Sequence, residues 1–179
     1  ALLNFMLSRF VIRPVSLLRE AINKIQEGYL GETVALPFED EMGKMGSAFN
    51  EMSVKLKEGQ LALKEAEENF RSIFENATVG IYRSTPDAKG QLLTVNPAFA
   101  QIMGYANPDE VVQDIADIRS QCYVNASDRD RLQQLLRDQG AVQGFEAQLY
   151  RKNGEIIDVS MSARVIRNEN NKILYYEGI

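Results

Sequence analysis

Residues 42–73 read MGKMGSAFNEMSVKLKEGQLALKEAEENFRSI, and apolar or small side chains recur in them at alternating steps of three and four. This period is that of a heptad seam, which faces a partner helix along a narrow apolar stripe. A helix of this length spans about 48 Å. The seam consists of Met42, Met45, Phe49, Met52, Leu56, Gly59, Leu63, Ala66, Phe70 and Ile73. The pattern predicts a rod that joins two domains and pairs in parallel with a second copy, and an amphipathic helix lying on its own domain is the alternative.

The composition of the 179-residue chain limits the function classes that fit it. The hydrophobic content of 45% and charged content of 25% are ordinary for globular domains. The net charge is −5, with basic residues interspersed among acidic ones, so a nucleic-acid surface is not predicted. The single cysteine, Cys122, excludes an intramolecular disulfide.

The chain contains no histidine. Catalytic Ser-His-Asp and Cys-His sets, His-ligated haem and Cys/His zinc sites are therefore excluded, because each needs an imidazole. No phosphate-binding glycine motif occurs either. The sequence predicts no catalytic residues and no metal ligands.

Residues 1–11 are mostly apolar, with Arg9 inside the run and Arg13 just after it. The run is too short to cross a bilayer. We interpret it as the end of a truncated transmembrane helix with its basic residues on the cytoplasmic side of the cell membrane. A buried first turn of a helix is the alternative.

A second heptad pattern begins at Pro14, a residue that fits the start of a helix. Its apolar positions are Val15, Leu18, Ile22 and Ile25. The helix should end near Gly28, and the next should begin near Asp40, an N-cap candidate. The thirteen residues between these helices, residues 28–40, reach about 43 Å when extended. A connector of that length allows the two helices to run parallel.

These features, together with Leu30, Val34 and the Asp40-Glu41-Met42-Gly43 start of the second helix, resemble a HAMP domain over residues 8–58. In that family, two parallel helices per subunit dimerise into a four-helix bundle just inside the membrane. The resemblance implies that Leu30 and Val34 anchor the connector and that Glu41 ties the second helix to the start of the first. We assign residues 12–58 to this domain and residues 59–73 to a coiled-coil signalling linker.

Beyond the rod, short strands and turns replace the heptads. Strands are predicted at residues 79–83 and 92–96, around the PDAKG turn, and at residues 173–179. Alternation of apolar and polar residues predicts two more strands around the hairpin signal Asn153-Gly154. Helices are predicted at residues 98–103 and 108–113, and a third should be capped by Ser127-Asp128 and end at Gly140.

This order of elements, with the stretches VNPAFAQIMGY, SDRDRL, GFEAQLYRKNGEIIDVS and YYEGI, closely resembles a PAS domain over residues 68–179. We assign residues 74–179 to it, so the fold class is α+β. The resemblance implies a curved five-stranded antiparallel sheet whose inner face, with the short helices, encloses a pocket. Family members continue past this point, so an output domain is expected after residue 179.

Apolar residues of the predicted sheet and helices are the candidates for lining that pocket. They are Ile81, Val95, Phe99, Ile102, Met103, Leu135, Phe145, Leu149, Val159 and Met161. Core packing alone explains most of them, because a domain of this size needs such residues to fold. We predict no cofactor, since haem lacks a histidine ligand and Cys122 lacks the motif of a photoactive flavin site; an unidentified small ligand is the alternative.

Taken together, the sequence predicts a cytoplasmic HAMP–PAS fragment of a membrane-bound sensor histidine kinase in a two-component phosphorelay. The fragment itself would be no enzyme. Its partners would be a second copy, a downstream catalytic domain and a response regulator. The alternatives are a diguanylate cyclase or another transducer, a ligand-binding PAS module with incidental dimerisation, and a scaffold that only dimerises.

Overall fold

The N-terminal part of the chain is helical. The structure is a computed structural model that describes residues 6, 8–36 and 40–179, and it divides the chain into two units, Ala1–Asn69 and Phe70–Ile179. A π-helical turn at Ser8–Ile12 leads into helix α1 (Arg13–Gln26), and helix α2 covers Glu41–Asn76. Part of the apolar run at residues 1–11 lies outside the described residues. Among the helices of the described chain, none has both the length and the hydrophobicity to cross a membrane.

The ends of both helices follow from local chemistry. Pro14 lies in the first turn of α1, where its missing N–H costs little. Gly28 follows the helix with a φ of +98°, a conformation that glycine adopts without strain. The Asp40 carboxylate accepts hydrogen bonds from the amides of Met42 and Gly43, at 3.0 and 3.2 Å. The predicted boundaries near Gly28 and Asp40 are confirmed.

A small apolar core holds the connector to both helices. It contains Leu18, Ala21, Val34 and Phe49, with Ile25 and Leu36 packed at its edge. Asn50 clamps the connector, because its side chain accepts from the Val34 amide at 2.7 Å and donates to the Val34 carbonyl at 2.9 Å. Gly46 lets Leu36 approach α2 closely, since a Cβ at Gly46 would lie 3.0 Å from Leu36 Cδ1.

The C-terminal unit is a five-stranded antiparallel sheet with helices on its inner face. The strands are β1 (Tyr82–Ser84), β2 (Leu92–Val95), β3 (Ala141–Tyr150), β4 (Ile156–Arg167) and β5 (Ile173–Gly178), in the order β2-β1-β5-β4-β3. The helices are α3 (Pro97–Met103), α4 (Pro108–Asp114), α5 (Ile118–Gln121) and α6 (Ala126–Gln139). The predicted α+β class and five-stranded sheet are confirmed.

Two local expectations were wrong. Strand β1 begins at Tyr82 rather than at residue 79, because the Asn96 side chain takes up the Ile81 amide and the Val79 carbonyl. Helix α6 is capped by Asn125, whose side chain accepts from the Ser127 amide at 3.2 Å, and not by residues 127–128. The short helix α5 was not predicted from the sequence.

The core lies between the sheet and the helices. Phe145, Ala147 and Leu149 are buried on alternate positions of β3, as predicted, and Leu132 and Leu136 of α6 are fully buried against them. The β3–β4 hairpin turns at residues 151–155, where the Arg151 amide donates to the Glu155 carbonyl at 2.8 Å. The sheet and helices thus frame a space on the inner face.

Candidate functional site

A cavity of about 340 Å³ lies between the inner face of the sheet and helices α3, α5 and α6. Six of the residues predicted to line a pocket do so: Phe99, Ile102, Met103, Leu149, Val159 and Met161. Further lining residues that the sequence did not single out are Tyr82, Leu92, Ile118, Cys122, Tyr123 and Arg129. The cavity is thus mainly apolar, with a few polar groups in its wall, as is usual for ligand sites.

The other four predicted residues lie elsewhere. Val95, Leu135 and Phe145 pack in the surrounding core without lining the cavity. Ile81 lines a separate groove on the opposite side of the sheet, together with Arg83. The reason is the strand period, because Tyr82 points inward and its neighbours therefore point outward.

Arg129 is the most unusual residue of the cavity wall. Its side chain is 1% exposed, and its Nε and Nη2 groups have no hydrogen-bond partner among the residues that the structure describes. The adjacent carboxylates are engaged elsewhere: Asp128 with Arg131 at 3.4 Å, and Asp130 with Arg119 at 2.8 Å. The structure therefore buries a guanidinium whose charge is not balanced by an ion pair within the described chain.

The sequence did contain a signal for Arg129. It stands three positions before Leu132 and seven before Leu136, so the helical period places it on the buried stripe of α6. Gln133, on the same stripe, is also buried, and its side-chain amide donates to the Asp87 carbonyl at 2.7 Å. A polar residue on the buried stripe of a helix is uncommon and indicates a candidate site.

The hydroxyl and thiol groups around Arg129 are uncharged at neutral pH. Burial raises the pKa of the Cys122 thiol to about 12. Burial likewise raises the pKa values of Tyr82 and Tyr123, and the nearby Arg129 charge offsets only part of each rise. The two tyrosine hydroxyls lie 4.0 and 3.6 Å from the Met161 sulfur, a weak acceptor, and the Tyr123 hydroxyl also has a hydrogen bond with the Arg129 side chain. Among the described lining residues, Arg129 is thus the one ionised side chain.

The residues of the predicted dimer and signalling surface divide into two groups. The following are buried or half-buried within the first unit: Pro14, Leu18, Ile25, Leu30, Val34, Met42 and Phe49. The following are exposed: Val15, Ile22, Glu41, Met45, Met52, Leu56, Leu63 and Phe70. Two exposed seam residues on α2, Leu63 and Ile73, reach 70% and 71% exposure.

The face of α2 that packs inside the first unit differs from the predicted seam. Its buried residues are Gly43, Gly46, Phe49 and Ser53, so most of them lie one position beyond seam residues. The connector covers this face through Leu36 and Val34. Apart from Met42 and Phe49, the seam therefore remains an exposed apolar stripe along α2.

Comparison with known families identifies two modules in the chain. A family model described as PAS domain matches residues 76–179, and one described as HAMP domain matches residues 6–58. The predicted order of the two modules is confirmed.

Curated relatives and solved structures match part of the chain. The sensor protein kinase WalK of Staphylococcus aureus is 24% identical over 108 residues, which is 60% of this chain and 26% of that kinase. The PAS domain of an HTR-like protein from Haloarcula marismortui has a TM-score of 0.52 at 21% identity, over 68% of this chain and 95% of that one. The PAS domain of a Colwellia psychrerythraea protein has a TM-score of 0.52 at 17% identity, over 63% and 92%. These two structures support the fold of the sheet unit.

Proposed function

Since this chain belongs to the PAS domain family and carries a HAMP domain ahead of its PAS domain, we propose that it relays signals within a membrane-bound sensor histidine kinase of a two-component phosphorelay. HAMP and PAS domains are non-catalytic signalling modules. The similarity to the sensor kinase WalK supports a kinase as the output. The relay acts on the cytoplasmic side of the membrane, and the phosphoryl group passes to a response regulator.

The observation that carries this proposal is the uncovered seam on α2. Helix α2 runs without interruption over Glu41–Asn76, and most of its apolar seam residues are exposed in the single chain, Phe49 and Met42 being the exceptions. Burial of an apolar side chain of this size stabilises an assembly by about 1.5–3 kcal/mol. A second copy aligned in parallel buries each exposed seam residue against its own equivalent. We therefore infer that the working form is a parallel homodimer.

Cysteine cross-linking tests the dimer and its direction. In a Cys122→Ala background, Leu63→Cys places a thiol on the seam, and the matched control Glu65→Cys places one on the outer face of the same helix. In a parallel pair, identical seam residues lie opposite each other, so mild oxidation should cross-link position 63 and leave position 65 monomeric. Equal cross-linking at both positions, or none at 63, contradicts the proposal.

Leu63→Asp provides a second test of the seam. A charge buried in an apolar interface costs several kcal/mol, so this variant should be monomeric by light scattering. Leu63 has no role in the core of the single chain, because its side chain is largely exposed. Phe49 is unsuitable for this purpose, since it lies in that core. A dimer that survives Leu63→Asp would contradict the seam.

The output needs an assay of the full-length protein in membranes. Incubation with labelled ATP should yield an acid-labile phosphoprotein if the output is a histidine kinase, and a phosphorylated response regulator should follow. Formation of a cyclic dinucleotide from GTP would instead support a diguanylate cyclase. If neither product forms, both outputs are contradicted.

A ligand-binding PAS module with incidental dimerisation is the second candidate function. The cavity with Arg129 favours it. The two candidate functions differ in whether dimerisation is needed for regulation. If the protein is a relay, Leu63→Asp should abolish regulation of the output; if the dimer is incidental, Leu63→Asp should leave regulation intact.

A further inference from the structure

We propose that the inner cavity of the PAS domain binds a small apolar monocarboxylic acid, whose carboxylate pairs with the buried guanidinium of Arg129. The inference concerns binding by this chain alone and does not depend on which output the protein drives. It rests on Arg129, which lines the cavity, is 1% exposed, and has no hydrogen-bond partner for its Nε and Nη2 groups among the described residues.

A buried, unpaired charge destabilises a folded protein unless a hydrogen-bonding or oppositely charged partner compensates it. Arg129 therefore requires such a partner. The neighbouring carboxylates do not provide one, because Asp128 and Asp130 bind Arg131 and Arg119. The described side chains that line the cavity contribute no anion, since burial raises the pKa of the Cys122 thiol to about 12. The proposed partner is therefore an anion from outside the described chain.

The chemistry of the wall favours a carboxylate. A guanidinium presents two parallel N–H groups that match the two oxygens of a carboxylate. The single positive charge of Arg129 balances the single negative charge of a carboxylate, whereas a phosphate monoester carries up to two negative charges. The hydroxyls of Tyr82 and Tyr123 have weak contacts with the Met161 sulfur, and the Tyr123 oxygen also accepts a hydrogen bond from Arg129, so both hydroxyl groups can still donate to a ligand oxygen.

The size and lining of the cavity define the rest of the ligand. A volume of about 340 Å³ accommodates about ten non-hydrogen atoms at ~30 Å³ each. The wall away from Arg129 is formed by side chains such as Phe99, Ile102 and Val159. The ligand is thus an acid with a linear, branched or aromatic apolar body of about that size.

The position of Arg129 is built by its surroundings. Gly90 has a φ of +73°, and a Cβ at this residue would lie 2.7 Å from Arg129 Nη2, so glycine makes room for the guanidinium. The turn that carries Gly90 is fixed by the Asp87 carboxylate, which accepts from the Gly90 amide at 2.9 Å. Gln133 holds the same turn from α6 through the Asp87 carbonyl. The fold therefore builds the place that the guanidinium occupies.

The test is isothermal titration calorimetry of the 179-residue chain with octanoate, octanol, octyl phosphate and inorganic phosphate. Octanoate should bind, and octanol should bind at least tenfold more weakly because it has no charge to pair with Arg129. Equal binding of octanoate and octanol overturns the proposal. Tighter binding of octyl phosphate than of octanoate overturns the carboxylate class. No binding of octanoate overturns the site, and Arg129 is then satisfied by buried water.

Variants separate the role of Arg129 from a general effect of charge. Arg129→Gln should weaken octanoate at least tenfold and leave octanol unchanged, and Arg129→Lys should recover only part of the loss because it lacks the planar fork. The matched control Arg137→Gln removes an exposed guanidinium from the same helix and should bind octanoate like the parent. Unchanged octanoate affinity in Arg129→Gln overturns the proposal.

A measurement on the unmodified chain covers the case in which the Arg129 variants do not fold. Titration with octanoate should shift the ¹⁵N–¹H resonance of the Arg129 side-chain Nε group, and octanol should not shift it. A shift confined to residues outside the cavity overturns the site.

Discussion

Asn96 shows how one side chain fixes several elements of the sheet unit. Its oxygen accepts hydrogen bonds from the amides of Ile81 and Phe99, at 2.8 and 2.9 Å. Its amide group donates to the carbonyls of Val79 and Phe74, at 2.9 and 3.2 Å. The residue is fully buried, so all four bonds form away from water. Asn96 thereby joins the end of α2, the start of β1 and the start of α3.

Asn96→Ala should destabilise the sheet unit by about 3 kcal/mol, because it removes a helix cap and leaves buried backbone groups unpaired. The matched control is Asn107→Ala, which removes only the cap of α4, where the exposed Asn107 accepts from the Glu110 amide at 2.9 Å. The control should cost about 1 kcal/mol. Urea unfolding of both variants measures the difference. Equal losses would mean that the bonds to Phe74 and Val79 contribute little.

Because of Cys122, the stability of the folded chain should change with pH in the alkaline range. Its pKa is raised from 9.0 to about 12 by burial, so above pH 9 the thiol ionises in the unfolded chain before it does so in the folded one. The unfolded state then binds fewer protons than the folded state, and stability falls as the pH rises from about 9 to about 12.

The parent chain should therefore lose about 2 kcal/mol more than Cys122→Ala between pH 7.5 and 10.5, from about 1.36 kcal/mol per pH unit above 9. The buried tyrosines change the pH dependence of stability equally in both proteins. The difference between the parent and Cys122→Ala therefore reports the thiol alone. Urea unfolding at the two pH values gives the comparison. Parallel pH profiles would show that the thiol is solvated in the folded chain.

At this scale, the sequence predicts burial well and polar roles poorly. The alternation in β3 correctly placed Phe145 and Leu149 inward, because a strand has only two faces. The four bonds of Asn96 and the orphaned charge of Arg129 depend on groups far away in sequence. Local patterns contain no information about such partners, although the helical phase of Arg129 marked its position.

At the scale of elements, α2 serves two surfaces. One face binds the connector, with Gly46 giving room to Leu36 and Asn50 clamping Val34. The seam, offset from it, is mostly exposed in the single chain. The sequence predicted the seam because heptads are periodic, whereas the connector face relies on small and polar residues that a hydrophobic pattern does not reveal.

Asn50→Ala should loosen the connector. It removes both hydrogen bonds to Val34, and amide exchange in residues 28–36 should speed up about tenfold for a loss of roughly 1.4 kcal/mol. The control Glu51→Ala removes only a surface ion pair with Lys55 and should leave exchange unchanged. Hydrogen–deuterium exchange read by mass spectrometry measures both. Equal exchange in the two variants would mean that the apolar core alone holds the connector.

Helix and strand boundaries were predicted where capping chemistry is local and missed where it is not. Asp40 begins one helix and Gly140 ends another, each through contacts with backbone groups only a few residues away. Helix α5 is a single turn capped by Asp117, too short to show a period. The late start of β1, at Tyr82, is imposed by Asn96, which binds the Ile81 amide from 15 residues further along the chain.

For the whole molecule, the order of modules matters more than any one contact. A HAMP match at residues 6–58 precedes a PAS match at residues 76–179, and α2 is the continuous element that extends from the first into the second. In the proposed dimer, α2 would transmit rotation or a change of packing. Gly59 leaves its seam thin at one point, since no described residue lies within 4 Å of a Cβ added there. A thinly packed coil holds two arrangements at similar energy more readily than a well-packed one.

The phase of α2 should therefore control output in the proposed dimer, and insertions between Gln60 and Leu61 separate phase from length. A seven-residue insert that repeats residues 61–67 adds about 10 Å but restores the helix phase to within about 20°, whereas a two-residue insert that repeats residues 61–62 adds about 3 Å and rotates the following chain by about 200°. In membranes carrying the full-length protein, the seven-residue variant should keep regulated output, and the two-residue variant should be locked on or off. Cross-linking of Leu63→Cys in each variant, without Cys122, checks that the helices remain paired. If length governs the signal, the order reverses and the longer insert does more damage; if α2 is only a spacer, both variants respond like the parent.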